Sequence, residues 1–342
     1  MTLPNIAVLG ATGVVGREIL NILEENKVEY NSIKFLASKR SAGSKITFKG
    51  EDFTVIEATD DVFDDIDICL ASAGGETSKR FAPVAAKKGC VFIDNSSAFR
   101  MDKDVPLVIA GVNDDDLKNH KGIIANPNCS TSQLMLPLKA LNDKYKVKKM
   151  IVSTYQAVSG AGLKAINELT DNTKVNLVGM PYNPEAFKYE IAFNVIPQID
   201  SFTDNGYTKE EMKVTNETRK ILHLDENVKI SCTAVRVPVY IGHSESVAVE
   251  FENKVEASEA RELLKNTWGV EVVDDVDNFI YPTPKDAAGK NPVYVGRIRN
   301  SIAFDNGLEF FCVADNLRIG AALNTVRLAE KVIALGLYCA KH

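Results

Sequence analysis

The sequence predicts an α/β protein in two parts: an N-terminal doubly wound parallel sheet, and an α+β C-terminal part built on a mixed sheet. Three observations predict it. Short, wholly apolar runs alternate with helical periodicity through residue 125, the pattern of parallel strands covered on both faces. A glycine-rich turn joins the first such run to the first helix. Beyond Val147 the strands lengthen and alternate, and few are followed by a returning helix, which points to mixed or antiparallel pairing. At 342 residues the chain can bury two sizeable cores. The expected division is residues 1–128, completed by a C-terminal helix within 315–342, against residues 129–314.

The first strand, residues 5–9, runs into Gly10-Ala-Thr12-Gly13-Val14-Val15-Gly16 and then a helix that is apolar at Ile19, Leu20 and Leu23. Strand, glycine turn, helix is the setting of a dinucleotide fingerprint and makes this part Rossmann-type. The glycines let backbone approach a pyrophosphate, and the helix N-terminus attracts it. The spacing is GxxGxxG rather than GxGxxG, so a plain glycine turn is the competing reading. The next strand, residues 33–37, ends in Ser38-Lys39-Arg40-Ser41, where an NAD site carries an acid. Two cations and two hydroxyls suit a 2′-phosphate and predict NADP; a solvated basic loop is the alternative. Residues 67–71 lead into a second glycine loop at Ala73-Gly74-Gly75 and a helix over 77–88. Residues 90–94 end at Asn95-Ser-Ser-Ala-Phe-Arg100, and 107–110 and 122–125 read as further strands. Ligands of such sheets gather at the carboxyl ends of the strands.

Ala125-Asn-Pro-Asn-Cys129-Ser-Thr-Ser132 reads as a turn feeding a helix from Ser130, with Leu134, Leu138 and Leu141 on one side. Cys129 would sit where the first free helical N–H groups point outward. That position favours a thiolate and offers donors to an oxyanion. A buried structural cysteine is the commoner fate, but the polar neighbours on both sides favour a nucleophile. The other cysteines show no CxxC pair and no Cys/His metal spacing, so neither a metal nor a disulfide is expected.

In the second part, residues 149–155, 230–240, 246–251, 293–298 and 308–313 read as strands, and 162–170, 209–222 and 257–267 as helices. Residues 320–338 form an amphipathic helix expected to return to the first part. Of the four histidines, His120, His223, His243 and His342, only His243 lies in a turn between two strands, and it is the best general acid/base by elimination. Arg236 interrupts an apolar run and suits either a substrate carboxylate or a structural ion pair. Arg100 and Lys220 are plain surface cations unless the substrate carries phosphate. A thiolate with a nicotinamide site implies aldehyde-level chemistry through a thioester. The net charge of −6 argues against nucleic acid or a membrane surface as partner. No apolar run reaches the length of a membrane span and no signal pattern opens the chain, so a cytoplasmic protein is expected.

These motifs resemble the aspartate-semialdehyde dehydrogenase family over essentially the whole chain. The resemblance rests on the 10–16 glycine loop, Pro-Asn-Cys-Ser-Thr at 127–131 and Thr-Tyr-Gln-Ala-Val-Ser-Gly-Ala-Gly at 154–162. It continues through Glu-Thr-Arg-Lys at 217–220, Arg-Val-Pro-Val and His-Ser-Glu-Ser within 236–246, and Asp-Asn-Leu-Arg-Ile-Gly-Ala-Ala at 315–322. Ser130 stands where many relatives have threonine and keeps the hydroxyl. The resemblance implies NADPH-dependent reductive dephosphorylation of L-aspartyl 4-phosphate to L-aspartate 4-semialdehyde, a step toward lysine, diaminopimelate, threonine and methionine. It implies Cys129 as thioester former, His243 as acid/base and Gln156 as the residue that orients the intermediate. Arg236 and Glu217 would hold the substrate's carboxylate and amino group, and Arg100 and Lys220 its phosphate, with Asn95 nearby. Gly10, Thr12 to Val15, Ser38, Arg40, Ser41, Ala73, Gly74, Ser159, Gly160 and Asn316 would form the NADP site. A homodimer or a tetramer is implied, with residues 129–314 as the catalytic and dimerisation domain. N-acetyl-glutamyl-phosphate reductase is the rival within the class, glyceraldehyde-3-phosphate dehydrogenase a more distant one, and a non-catalytic NADP sensor the rival outside it.

Overall fold

The backbone hydrogen bonds of the glycine turn and its flanking strands set the architecture of the N-terminal part. The computed structural model describes residues 2–341; Met1 and His342, the terminal histidine among the four, lie outside the described residues. Two compact units divide the chain, Met1–Asn128 with Ala321–His342, and Cys129–Gly320.

In the first unit, β1 (Asn5–Leu9), β2 (Ser32–Ala37), β5 (Ile56–Glu57), β6 (Ile68–Ala71), β7 (Val91–Asp94) and β8 (Ile123–Ala125) form one sheet in the order β5-β2-β1-β6-β7-β8. Every pairing in it is parallel. β1, β6 and β7 are buried along their whole length, as two-sided cover requires. α1 (Val14–Glu25) buries Ile19, Leu20, Ile22 and Leu23. α2 (Gly75–Lys87) buries Phe81, Ala82 and Ala85. A short antiparallel hairpin, β3 (Lys45–Phe48) and β4 (Glu51–Thr54), sets Phe48 and Phe53 edge-on to Phe35 of β2. At four residues each, its strands are too short to stand out in the sequence.

One expected strand is absent. Of residues 107–110 only Leu107 makes a bridge, to Ala125. Side-chain amides take the place of a neighbouring strand: Asn113 receives Ile109 N and donates to Leu107 O, while Asn324 receives Ala110 N and donates to Val108 O.

The second unit opens with α3 (Cys129–Tyr145), followed by β9 (Val147–Gln156), α4 (Leu163–Leu177), α5 (Lys209–Ile221), β10 (Lys229–Arg236) and β11 (His243–Phe251). α6 (Ala257–Lys265), β12 (Val270–Val272), the one-turn α7 (Pro284–Ala287), β13 (Val293–Asn300) and β14 (Gly307–Ala314) complete it. Its sheet runs β10-β9-β11-β14-β13-β12. Parallel pairs at both ends flank antiparallel pairs in the middle, so the sheet is mixed. Of the expected boundaries that move, two bear on the site. β10 stops at Arg236, because Pro238 has no N–H to continue a ladder. β11 begins at His243, which is therefore the first residue of a strand rather than part of a turn. Before it, Gly242 takes a φ of +99°, where any Cβ would meet Pro284 at 2.9 Å.

A π-helical turn, Arg318–Ala322, precedes α8 (Leu323–Ala334). α8 packs on α1, β6 and β7 of the first unit and buries Leu323, Val326, Leu328, Ala329 and Val332. No helix among the described residues is long and apolar enough to cross a membrane.

Candidate active site

Cys129 is the first residue of α3, and one face of β11 is presented to that helix. The cysteine Sγ lies 3.2 Å from His243 Nε2. Two features hold the imidazole. Its ring is fully buried, and Ala157 N donates to its Nδ1 at 3.1 Å. A ring nitrogen that accepts carries no proton, so the one proton of the neutral ring is assigned to Nε2, facing the sulfur. Burial, together with the nearby Arg236 charge, pulls the His243 pKa well below its ordinary value. The imidazole is thus neutral near pH 7 and points an N–H at the thiol.

The approach of α3 depends on Gly320, where a Cβ would come within 2.7 Å of the Cys129 Cβ. Gly160 is under the same pressure: a Cβ there would lie 3.1 Å from Arg236 Nη1 and 3.3 Å from His243 Nε2. Ser159 and Asn316, expected to contact nucleotide, hydrogen-bond each other, and the Asn316 amide oxygen also receives Gly242 N at 2.9 Å. That pair braces the turn entering His243.

Arg236 is buried at the end of β10, paired in register with Gln156. Its Nη1 donates to Ala157 O at 2.7 Å, and the Phe187 ring lies 5.9 Å from the guanidinium. Among the described residues no carboxylate accepts from it, and beside it opens a cavity of about 410 Å³ that Phe187, Lys188 and Asp200 help to line. A buried fork on a cavity of that size suits a small carboxylate ligand.

Gln156 points the same way but does not meet Glu217. Its Nε2 donates to Thr154 Oγ1 and to Glu210 Oε1, both at 3.2 Å. Lys213 Nζ then binds Glu210 Oε2 at 3.1 Å and Asp200 Oδ2 at 2.9 Å. The acid and cation brought to Gln156 are therefore Glu210 and Lys213, which the sequence reading missed. The reason is periodicity. On α5, Glu217 and Lys220 repeat the Glu-x-x-Lys spacing of Glu210 and Lys213 two helical turns later and on the same face. Only the position of β9 along the helix distinguishes the two sets. Glu217 is buried as well, two turns further along α5.

The first unit carries the nucleotide candidates. Gly10 adopts a φ of +81°, and a Cβ there would meet the Ser72 backbone at 3.0 Å; at Gly16 a Cβ would collide with Gly10 O at 2.1 Å. α1 and α2 start at Gly13 and Gly74 with no side-chain cap, leaving first-turn N–H groups to an outside acceptor. A cleft of about 590 Å³ over these ends is lined by Gly10, Thr12, Gly13, Ser38, Arg40, Ser41 and Ala73. Val14 and Val15 form the first turn of α1 beside it. An uncapped helix start, a close glycine turn and a basic, hydroxyl-bearing rim fit a dinucleotide with a 2′-phosphate.

Arg100 is buried and held by the carbonyls of its own surroundings, through Nε to Asn126 O at 2.9 Å and Nη2 to Asn95 O at 2.8 Å. Asn95 is itself fixed by Ala71 O and Thr325 Oγ1. Among the described residues no group of three or more His, Cys, Asp or Glu side chains could hold a metal ion, and all six cysteines are free.

Comparison with known proteins matches residues 5–120 to a family model described as semialdehyde dehydrogenase, NAD binding domain, and residues 138–319 to semialdehyde dehydrogenase, dimerisation domain. The chain is 52% identical over 337 residues to an aspartate-semialdehyde dehydrogenase of Aquifex aeolicus, covering 97% of this chain and 98% of the relative. It is 48% identical to that of Bacillus subtilis, with coverage of 97% and 98%. Among solved structures, aspartate semialdehyde dehydrogenase II of Vibrio cholerae, crystallised with ASA, superposes with a TM-score of 0.94 at 43% identity, covering 98% of this chain and 99% of that one.

Proposed function

The chain belongs to the aspartate-semialdehyde dehydrogenase family, and from that premise we propose that it carries out the NADPH-dependent reductive dephosphorylation of L-aspartyl 4-phosphate to L-aspartate 4-semialdehyde. The observation that carries the reading is the thiol at a helix start, 3.2 Å from a buried neutral imidazole whose N–H faces it.

The Cys129 thiol gives up its proton to solvent, and His243 Nε2–H stabilises the thiolate before attack. The sulfur adds to the acyl carbon, the bond to the phosphate oxygen breaks, and a thioester and inorganic phosphate result. When bound, NADPH supplies the hydride that reduces the acyl carbon. The oxyanion this creates is met by His243 Nε2–H and the N–H groups at the start of α3. Its collapse breaks the C–S bond, releases the aldehyde and returns the thiolate. Arg236 binds the substrate carboxylate as a planar fork. Glu210, already oriented by Gln156 and Lys213, takes the ammonium group in place of Glu217, and Gln156 orients the acyl group. Arg100 and Asn95 receive the phosphate. NADP is held by the glycine turn, Thr12, Ser38, Arg40, Ser41 and Ala73, with Ser159, Gly160 and Asn316 assigned to its nicotinamide end. A homodimer, a cytoplasmic location and a place in the synthesis of lysine, diaminopimelate, threonine and methionine belong to the same reading.

Phosphate-dependent reduction of NADP and NAD, followed at 340 nm with L-aspartate semialdehyde and N-acetyl-glutamate semialdehyde in parallel, tests the proposal. The expected result is rapid NADP reduction with the first aldehyde alone. Activity with the acetylated aldehyde would replace the substrate assignment. Cys129→Ala should abolish turnover and keep NADP affinity; substantial activity in that variant rules out the thioester.

A further inference from the structure

Beneath the thiol–imidazole pair lies a second polar layer to which no role is assigned above. Cys129 and Gln133 stand one turn apart on α3, and His243 and Glu245 point to the same side of β11. Two rungs result: sulfur against imidazole, and amide against carboxyl. Gln133 and Glu245 are both fully buried. The Gln133 Nε2 donates to the backbone oxygen of His243 at 3.3 Å, and the same amide lies beside the Glu245 carboxyl. From β14, Cys312 Sγ donates to Glu245 Oε2 at 3.3 Å. Glu245 also stands opposite Thr154, whose hydroxyl accepts from Gln156. One carboxyl therefore adjoins the backbone of the imidazole and the support of the orienting amide.

We propose that Glu245 is a positioning residue for the Cys129–His243 pair, acting through Gln133 on the His243 backbone. The charge around it favours the uncharged acid. The groups that face it are Gln133 from α3, Cys312 from β14 and Cys232 from β10, with Glu211 and Glu210 of α5 acting on Cys232 and His243 on its own strand. None is a cation, and burial raises the Glu245 pKa to about 8. Its Oε1 and the Gln133 Oε1 are buried with no hydrogen-bond partner among the described residues. A protonated Glu245 supplies one donor for two such acceptors, whereas an ionised one leaves a charge enclosed without a counter-ion. Ionisation would draw the Gln133 N–H toward the carboxylate and away from the His243 carbonyl, loosening the start of β11.

The inference rests on Cys129 being the nucleophile and His243 the N–H donor beside it, and its test has an arm that needs neither substrate nor nucleotide. Iodoacetamide labelling of the Cys129 peptide, read by mass because Cys339 is also exposed, reports the pair directly. Glu245→Val, shown to be folded by melting and NADP binding, should label several-fold more slowly at pH 7. Its kcat should fall by about 100-fold with KM little changed, the scale of a small misplacement of reacting groups. The parent's kcat should fall above pH 8; Glu245→Gln keeps the shape and a donor, so it should retain most of the activity at pH 7 and lose that fall. A folded Glu245→Val with normal labelling and turnover overturns the proposal. So does a Glu245→Gln enzyme whose alkaline fall persists, and that profile decides alone if the valine variant does not fold.

Discussion

The imidazole of His243 shows how one backbone contact can choose a protonation state. Ala157 N–H occupies Nδ1, so protonating that nitrogen would set two donors against each other, and burial opposes the charged form as well. The folded pKa is depressed, so below about pH 6.5, the ordinary histidine value, the unfolded chain binds a proton that the folded chain refuses. Stability is then present above pH 6.5 and lost as pH falls toward the folded value. His243→Gln should lose less stability than the parent between pH 7 and pH 5, as melting curves across that range would show. Its kcat should drop by about 100-fold or more, the usual cost of a lost oxyanion donor. A parent enzyme and variant with parallel melting profiles would contradict the buried neutral ring.

At the scale of elements, helix α5 carries the same acid–cation spacing twice, and β9 meets only the first copy. Its capping box, Thr208 with Glu211, locks the start of the helix, so its register against the strands cannot drift. Glu211 also receives Ala234 N of β10 at 2.9 Å. Glu210→Gln should raise KM for the aldehyde roughly 10- to 100-fold, the worth of one charge-assisted hydrogen bond. Glu217→Gln should leave KM close to the parent's and act, if at all, on stability. Steady-state kinetics on both variants separate the two copies, and the reverse ranking would restore the later pair as the substrate site.

For the whole molecule, the decisive feature is that the first unit is discontinuous in sequence. α8 buries five apolar side chains against a sheet made of residues more than two hundred positions earlier, and Asn324 supplies the hydrogen bonds that residues 108–110 lack. Removing residues 321–342 should therefore abolish NADP binding, because each lost large core contact costs about 2–5 kcal/mol against a marginal total. Calorimetric titration of NADP into the truncated chain checks this; intact binding would show that the helix is an accessory.

Much of the fold is legible in the sequence where local pattern is sufficient. Continuous apolar strands, helical periodicity and the Gly10–Gly16 turn required no tertiary information, because backbone sterics and two-sided burial act over a few residues. Cys129 could be singled out for the same reason: a polar turn into a helix is a local signal. What only the tertiary structure decided is how distant segments come together. Sequence could not choose Glu210 over Glu217, since a helix repeats its face every two turns. It showed residues 107–110 as apolar and strand-like, while the amide of a residue far along the chain took the hydrogen bonds. Nor could it reveal Glu245 as a buried acid, because the face a strand turns inward depends on the helix laid across it. Contacts between segments remote in sequence are set by packing, and packing is a property of the folded chain alone.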